Sequence, residues 1–192
     1  MKHWEKELPA GYREAMTIDA KSDRKLIVKM TLASLAVLVV FLALAILWQG
    51  RRLLAEPMPL RLALGFWIAI IAYLVLHELV HGAAYKLLTG QKLTFGITLS
   101  VAFCGVPEIY VYRRASLIAV LAPFVVFTAL GLVLLAALPG AWEKFFVLCF
   151  LGLHIGGCSG DLYNTWMYLT RFKDPRTLTR DTGPVQTFYV PE

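Results

Sequence analysis

Four stretches of the chain are so apolar, and so long, that they dictate what it can fold into. Residues 30–50 and 115–142 carry no charged side chain. Residues 62–85 carry no Lys, Arg or Asp, and apart from two tyrosines their ionisable side chains are His77, Glu78 and His81. Residues 145–170 hold one charge, Asp161, and one histidine, His154. At 1.5 Å per residue even the shortest run reaches about 31 Å as a helix, the thickness of a bilayer's hydrocarbon core. Hydrophobic residues make up 58% of the 192 positions, more than a soluble domain of this length buries. The expectation is an all-α membrane protein, one integral membrane domain over 1–192, with transmembrane helices at about 30–50, 62–88, 115–138 and 145–170. The first run follows a polar tail and has no small-residue cleavage site, so it reads as an anchor that stays.

Between the second and third runs the period changes. Leu93, Phe95, Ile97, Leu99, Val101 and Phe103 alternate with small or polar residues, the pattern of a strand. Gly105-Val106-Pro107 reads as a turn, and Ile109–Tyr112 is β-prone. Residues 92–113 are therefore expected to form a β-hairpin. Residues 1–29 and 171–192 read as polar tails, the first with a short amphipathic helix, the second extended. With both tails cytoplasmic, 15 of the 19 Lys and Arg lie on the cytoplasmic side and 4 on the other, as the positive-inside rule requires. Topology accounts for these cations, so nucleic-acid binding is not expected. Cys104, Cys149 and Cys158 form no C-x-x-C pair and read as small packing residues.

Within the second run stands His77-Glu78-Leu79-Val80-His81. On a helix the two imidazoles share a face one turn apart, the spacing that grips one zinc ion, and Glu78 is turned aside to serve as general base toward an activated water. Ionisable groups at membrane depth need a use that offsets their cost. A third ligand is required, and depth selects it. Residue 79 lies 7 positions before Lys86, Asp161 lies 10 before Arg171, and His154 lies 17 before it. Asp161 is therefore level with the histidines, and His154 sits about 10 Å deeper on a straight helix. His154 and Asn164 are candidates for an outer shell, His154 rather as a hydrogen-bonded interior residue. Gly152, Gly156 and Gly160 form a stripe that permits close helix approach, and the run Gly156-Gly157-Cys158-Ser159-Gly160 offers a place for the helix to loosen before Asp161.

On the His-Glu-x-x-His run and the later Gly160-Asp161-Leu162, the chain resembles the putative zincin peptidases, small bacterial membrane proteins. More distantly it is similar to the site-2-type intramembrane metalloproteases. The latter resemblance implies His77, His81 and Asp161 as zinc ligands and Glu78 as the base, although here Asp161 follows Gly160 and Asn164 comes after it. The function expected is a zinc-dependent peptidase in the bacterial inner membrane. It acts on a membrane protein or peptide that adds as a strand to the hairpin edge. A non-catalytic zinc-binding membrane module and a small ion or proton transporter remain as alternatives, and the oligomeric state is open.

Overall fold

The computed structural model describes residues 2–97 and 102–192. Its described residues form five helices and seven strands in two sheets. This overturns the all-α expectation: the fold is mixed α and β, because both tails are strands.

In chain order the elements are β1 (Trp4–Glu5), β2 (Tyr12–Asp19), α1 (Arg24–Ala55), α2 (Leu60–Thr89), β3 (Thr94–Ile97), β4 (Ala102–Gly105), β5 (Tyr110–Tyr112), α3 (Arg113–Ala137), α4 (Ala141–Gly157), α5 (Ser159–Thr170), β6 (Leu178–Asp181) and β7 (Val185–Pro191). Helices α1, α2 and α3 are long and apolar enough to cross a membrane, and the bent pair α4 and α5 adds a fourth if taken as one span. Local chemistry sets their ends. Asp23 caps α1, its Oδ1 accepting the Leu26 N–H at 3.0 Å. Pro57 and Pro59 separate α1 from α2. Gly90, at φ +68°, ends α2, and its N–H donates to the Lys86 carbonyl at 2.9 Å. The expected single helix over 145–170 is broken at Cys158, where the glycine-rich run interrupts it.

The contacts divide the chain into two compact units. One comprises Lys29–Leu74 and Phe124–Ser159 and is helical. Its outward residues include Leu32, Val39, Leu47, Trp67, Ile71 and Val133, all more than half exposed. Within it the expected glycine stripe is partly used. A Cβ on Gly156 would lie 2.8 Å from the Ser34 carbonyl oxygen, and one on Gly152 would lie 2.7 Å from the Phe41 Cβ, so α4 seats directly on α1 there. Ser34 Oγ donates to the Gly156 carbonyl at 2.6 Å. Gly160 meets nothing within 4 Å and plays no part in that packing.

The other unit comprises Met1–Val28, Val75–Pro123 and Gly160–Glu192. Its five-stranded antiparallel sheet has the order β1-β5-β6-β7-β2. The expected amphipathic helix near Tyr12 is β2, running along the full length of β7 from Tyr12↔Pro191 to Asp19↔Val185. Two clusters seat helix ends on this sheet. Tyr85 of α2 and Ala115 and Ala119 of α3 pack with Val106, Ile109 and Val111. Met167 and Tyr168 of α5 pack with Ile18, Phe172 and Phe188. The Arg113 guanidinium donates to the Phe172 and Tyr168 carbonyls at 2.9 and 3.0 Å, satisfying acceptors at the end of α5. The hairpin differs from expectation in its pairing. β3 pairs with β4, from Thr94↔Gly105 to Ile97↔Ala102, while β5 joins the larger sheet. The period-two run is thus two strands facing each other, and the Gly105-Val106-Pro107 turn leads out of the hairpin. Leu99 and Val101 lie outside the described residues.

Candidate metal centre

Helix α2 places His77 and His81 on one face, their ring centroids 4.9 Å apart. Asp161, in the first turn of α5, faces both. His77 Nε2 lies 3.3 Å from Asp161 Oδ2, and His81 Nε2 lies 3.4 Å from Asp161 Oδ1. One donor atom from each residue falls within 4.8 Å of the others.

These distances test whether zinc suits the residues. A direct charge-assisted hydrogen bond would draw N and O to about 2.7–2.9 Å. Four bonds of about 2.0–2.2 Å in a tetrahedron hold neighbouring ligand atoms about 3.3–3.6 Å apart. The separations here, each to a different oxygen of Asp161, are longer than the first case and leave room for an ion between the three side chains. The donor chemistry agrees: two imidazole nitrogens and one carboxylate are a common catalytic zinc set, with a position left for water. Orientation agrees as well. His81 Nδ1 lies 2.8 Å from the Ala119 carbonyl oxygen. A carbonyl only accepts, so Nδ1 carries the proton and Nε2, the atom turned toward Asp161, is the one available to a metal.

Glu78 lies a third of a turn round the helix from His77 and is half-buried. Its carboxylate lies close to the backbone of Cys104 in β4. The hairpin therefore stands beside the base. β3 approaches the same helix at Gly82, the residue after His81, where a Cβ would lie 2.6 Å from Phe95 Cζ and 3.2 Å from Leu93 Cδ1. Phe95 and Ile97 are exposed, and Phe103 is partly buried. Burial pushes the Cys104 thiol up to about 12, helped by the nearby Asp181 and Glu78 carboxylates. It is an un-ionised packing residue at neutral pH.

The outer-shell candidates fall differently. His154 belongs to the helical unit and is fully enclosed there. Its Nδ1 meets the Tyr73 hydroxyl at 2.8 Å, and its Nε2 meets Thr128 Oγ1 at 3.1 Å. Its ring is stacked with those of Phe150 and Phe124, the surroundings of an interior histidine. Asn164 lies one turn after Asp161, and its Oδ1 is buried with no hydrogen-bond partner among the described residues.

Three contributors are absent from any short motif: Ala119, Tyr85 and Asp181. Tyr85 stands one turn beyond His81, and its hydroxyl donates to Asp181 Oδ2 at 2.6 Å. The Gly183 N–H and Gln186 Nε2 also donate to this carboxylate, at 2.8 and 3.1 Å. The His77-His81-Tyr85 spacing of four was visible in the sequence; the partner nearly 100 residues away was not. Burial outweighs these three donors and pushes the Asp181 carboxyl up to about 6. Its folded value lies above its unfolded one, so its contribution is present below about pH 4, is lost as pH rises through 6, and is flat beyond. In metal-free protein this group should cost about 2 kcal/mol of stability between pH 4 and pH 7.5. Thermal unfolding of the parent and of Asp181→Asn at the two pH values checks it, since the variant should lack that portion of the pH dependence.

A family model described as putative zincin peptidase matches residues 70–175, which include all three residues of the His-His-Asp cluster and the hairpin that lies between them in the chain. No curated protein and no solved structure matches the chain.

Proposed function

The chain belongs to the putative zincin peptidase family, and from that premise we propose that it is a zinc-dependent metallopeptidase hydrolysing peptide bonds in or near a membrane. One observation carries the reading: His77 and His81 converge on opposite oxygens of Asp161 at 3.3 and 3.4 Å, with Glu78 as their immediate neighbour. These three residues are the metal ligands. Zinc, when bound, supplies a Lewis acid that polarises the scissile carbonyl and acidifies the attacking water. Glu78 takes the proton from that water and returns it to the leaving amine. The Glu78 carboxylate lies beside the hairpin, close to the Cys104 backbone. β3 and β4 pair only with each other among the described residues, so an outer edge is open to an extended substrate segment, which adds as a further strand. A helical substrate must first unwind locally.

The membrane setting is supported by the three long apolar helices and the bent fourth pair. It is supported also by the exposed side chains of the helical unit, a surface that water does not sustain. The amino-terminal strands, β5 and the carboxy-terminal strands share one sheet. This supports placing both termini and the α2–α3 connection on one side, the one to which the lysines and arginines mostly fall. We assign that side to the cytoplasm and the protein to the inner membrane of a bacterial cell.

The test is metal dependence in the full chain reconstituted in lipid nanodiscs. One zinc per chain and cleavage of a membrane-tethered peptide reporter are expected. Chelation should abolish cleavage, and added zinc should restore it. Zinc retained without cleavage would make the protein a metal-binding module. Absence of both would favour ion or proton transport through the buried carboxylates and histidines.

A further inference from the structure

In α3 a proline stands four residues after the carbonyl that His81 meets. Pro123 is fully buried inside the helix. In an unbroken α-helix the N–H of residue 123 would donate to the carbonyl of residue 119. Proline has no N–H, and its ring crowds the carbonyl four residues back, pushing it off the helix axis. That carbonyl belongs to Ala119, the group 2.8 Å from His81 Nδ1. Ala119 is itself fully buried, so without another donor its oxygen would be an orphaned acceptor away from water. His81 is the donor that satisfies it.

We infer that Pro123 is a positioning residue of the metal centre: by withholding its own N–H it reserves the Ala119 carbonyl for His81, which fixes the imidazole with Nδ1 protonated and Nε2 directed at Asp161. The inference rests on the assignment of His81 as a zinc ligand. An N–H···O=C bond to the rear of a ligating imidazole fixes its tautomer and ring orientation and raises its basicity, and losing such a partner typically costs 10–100-fold in metal affinity. Pro123 touches neither metal nor substrate in this scheme. It acts through Ala119 and His81.

The experiment uses the full chain in detergent micelles, with zinc alone as the probe. In the parent, nitrogen NMR of ¹⁵N-labelled histidine should show His81 Nδ1 protonated and hydrogen-bonded, both without and with zinc. Pro123→Ala restores an N–H at position 123. It should weaken zinc binding by about 10–100-fold in chelator competition and move the Nδ1 resonance. Its thermal transition should not fall, because alanine suits a helix interior better than proline. Pro123→Val restores the same N–H and carries the same expectation. Replacing residue 123 by the α-hydroxy analogue of alanine, whose backbone ester lacks the N–H as proline does, should return the affinity toward the parent. Unchanged zinc affinity and an unmoved Nδ1 signal in Pro123→Ala would overturn the inference, as would an unprotonated Nδ1 in the parent. A parent that takes up no zinc would instead defeat the ligand assignment, and the metal-free Nδ1 signal would still report whether Pro123 governs His81.

Discussion

Glu78→Gln should abolish peptide cleavage while leaving one zinc bound per chain. The separation of the two readouts follows from the geometry. His77, His81 and Asp161 form a cluster whose donor atoms lie within 4.8 Å of one another, and Glu78 is not part of it. Glutamine keeps the shape of the side chain and an acceptor oxygen beside the Cys104 backbone, so the hairpin should hold its place against α2. What the amide loses is the capacity to take up and return a proton. General acid–base catalysis contributes about 10²–10⁴-fold. Steady-state assays on the tethered reporter should therefore show kcat and kcat/KM falling together by that order, with KM little changed, the pattern of a group needed only in the transition state. Undiminished cleavage by Glu78→Gln would refute its role as base. A parallel loss of zinc would mean that the carboxylate stabilises the site rather than the reaction.

The parts of this architecture that sequence reveals are those set by local pattern. Helices α1, α2 and α3 announce themselves because each is long and continuously apolar on its own. His77, Glu78 and His81 are legible because a helix turns a spacing of four into a shared face. Asp161 was reachable because two apolar runs can be aligned by their charged ends. The five-stranded sheet was not legible. β2 and β7 pair across nearly the whole chain, Tyr12 opposite Pro191, and no local signal encodes that register. Gly183 and Pro184 belong to what reads as an extended polar tail, and β2 and β7 mix Thr, Gln, Arg and Glu with their apolar residues. β5 was misassigned because a β-prone segment after a turn signal looks like a returning strand. Its partners are instead a two-residue strand at the amino terminus and β6. Pro123 was visible as a proline in an apolar helix, yet its use depended on the close approach of α2 at Ala119, a tertiary fact.

Asp161→Asn is expected to erase zinc's stabilisation of the fold. Two roles for this carboxylate must be separated. Asp161 sits in the first turn of α5, where a negative charge favours the helix N-terminus by about 0.3–1 kcal/mol. It also faces both imidazoles at 3.3 and 3.4 Å. Asparagine preserves size and shape but removes the charge and a good zinc donor. If the residue served only α5, the variant would lose at most about 1 kcal/mol, with or without metal. If it is the third ligand, two protein ligands remain, too few for a usual catalytic zinc site. Affinity should then fall by more than the 10–100-fold typical of an outer-shell loss. Linkage makes the difference measurable. Zinc at a hundred times the parent's Kd should stabilise the parent by about 2.7 kcal/mol and Asp161→Asn by less than about 0.5 kcal/mol. Thermal unfolding with and without zinc, on parent and variant side by side, reads both quantities. An equal zinc-induced shift in the two proteins would remove Asp161 from the ligand set and leave His77 and His81 in need of another partner.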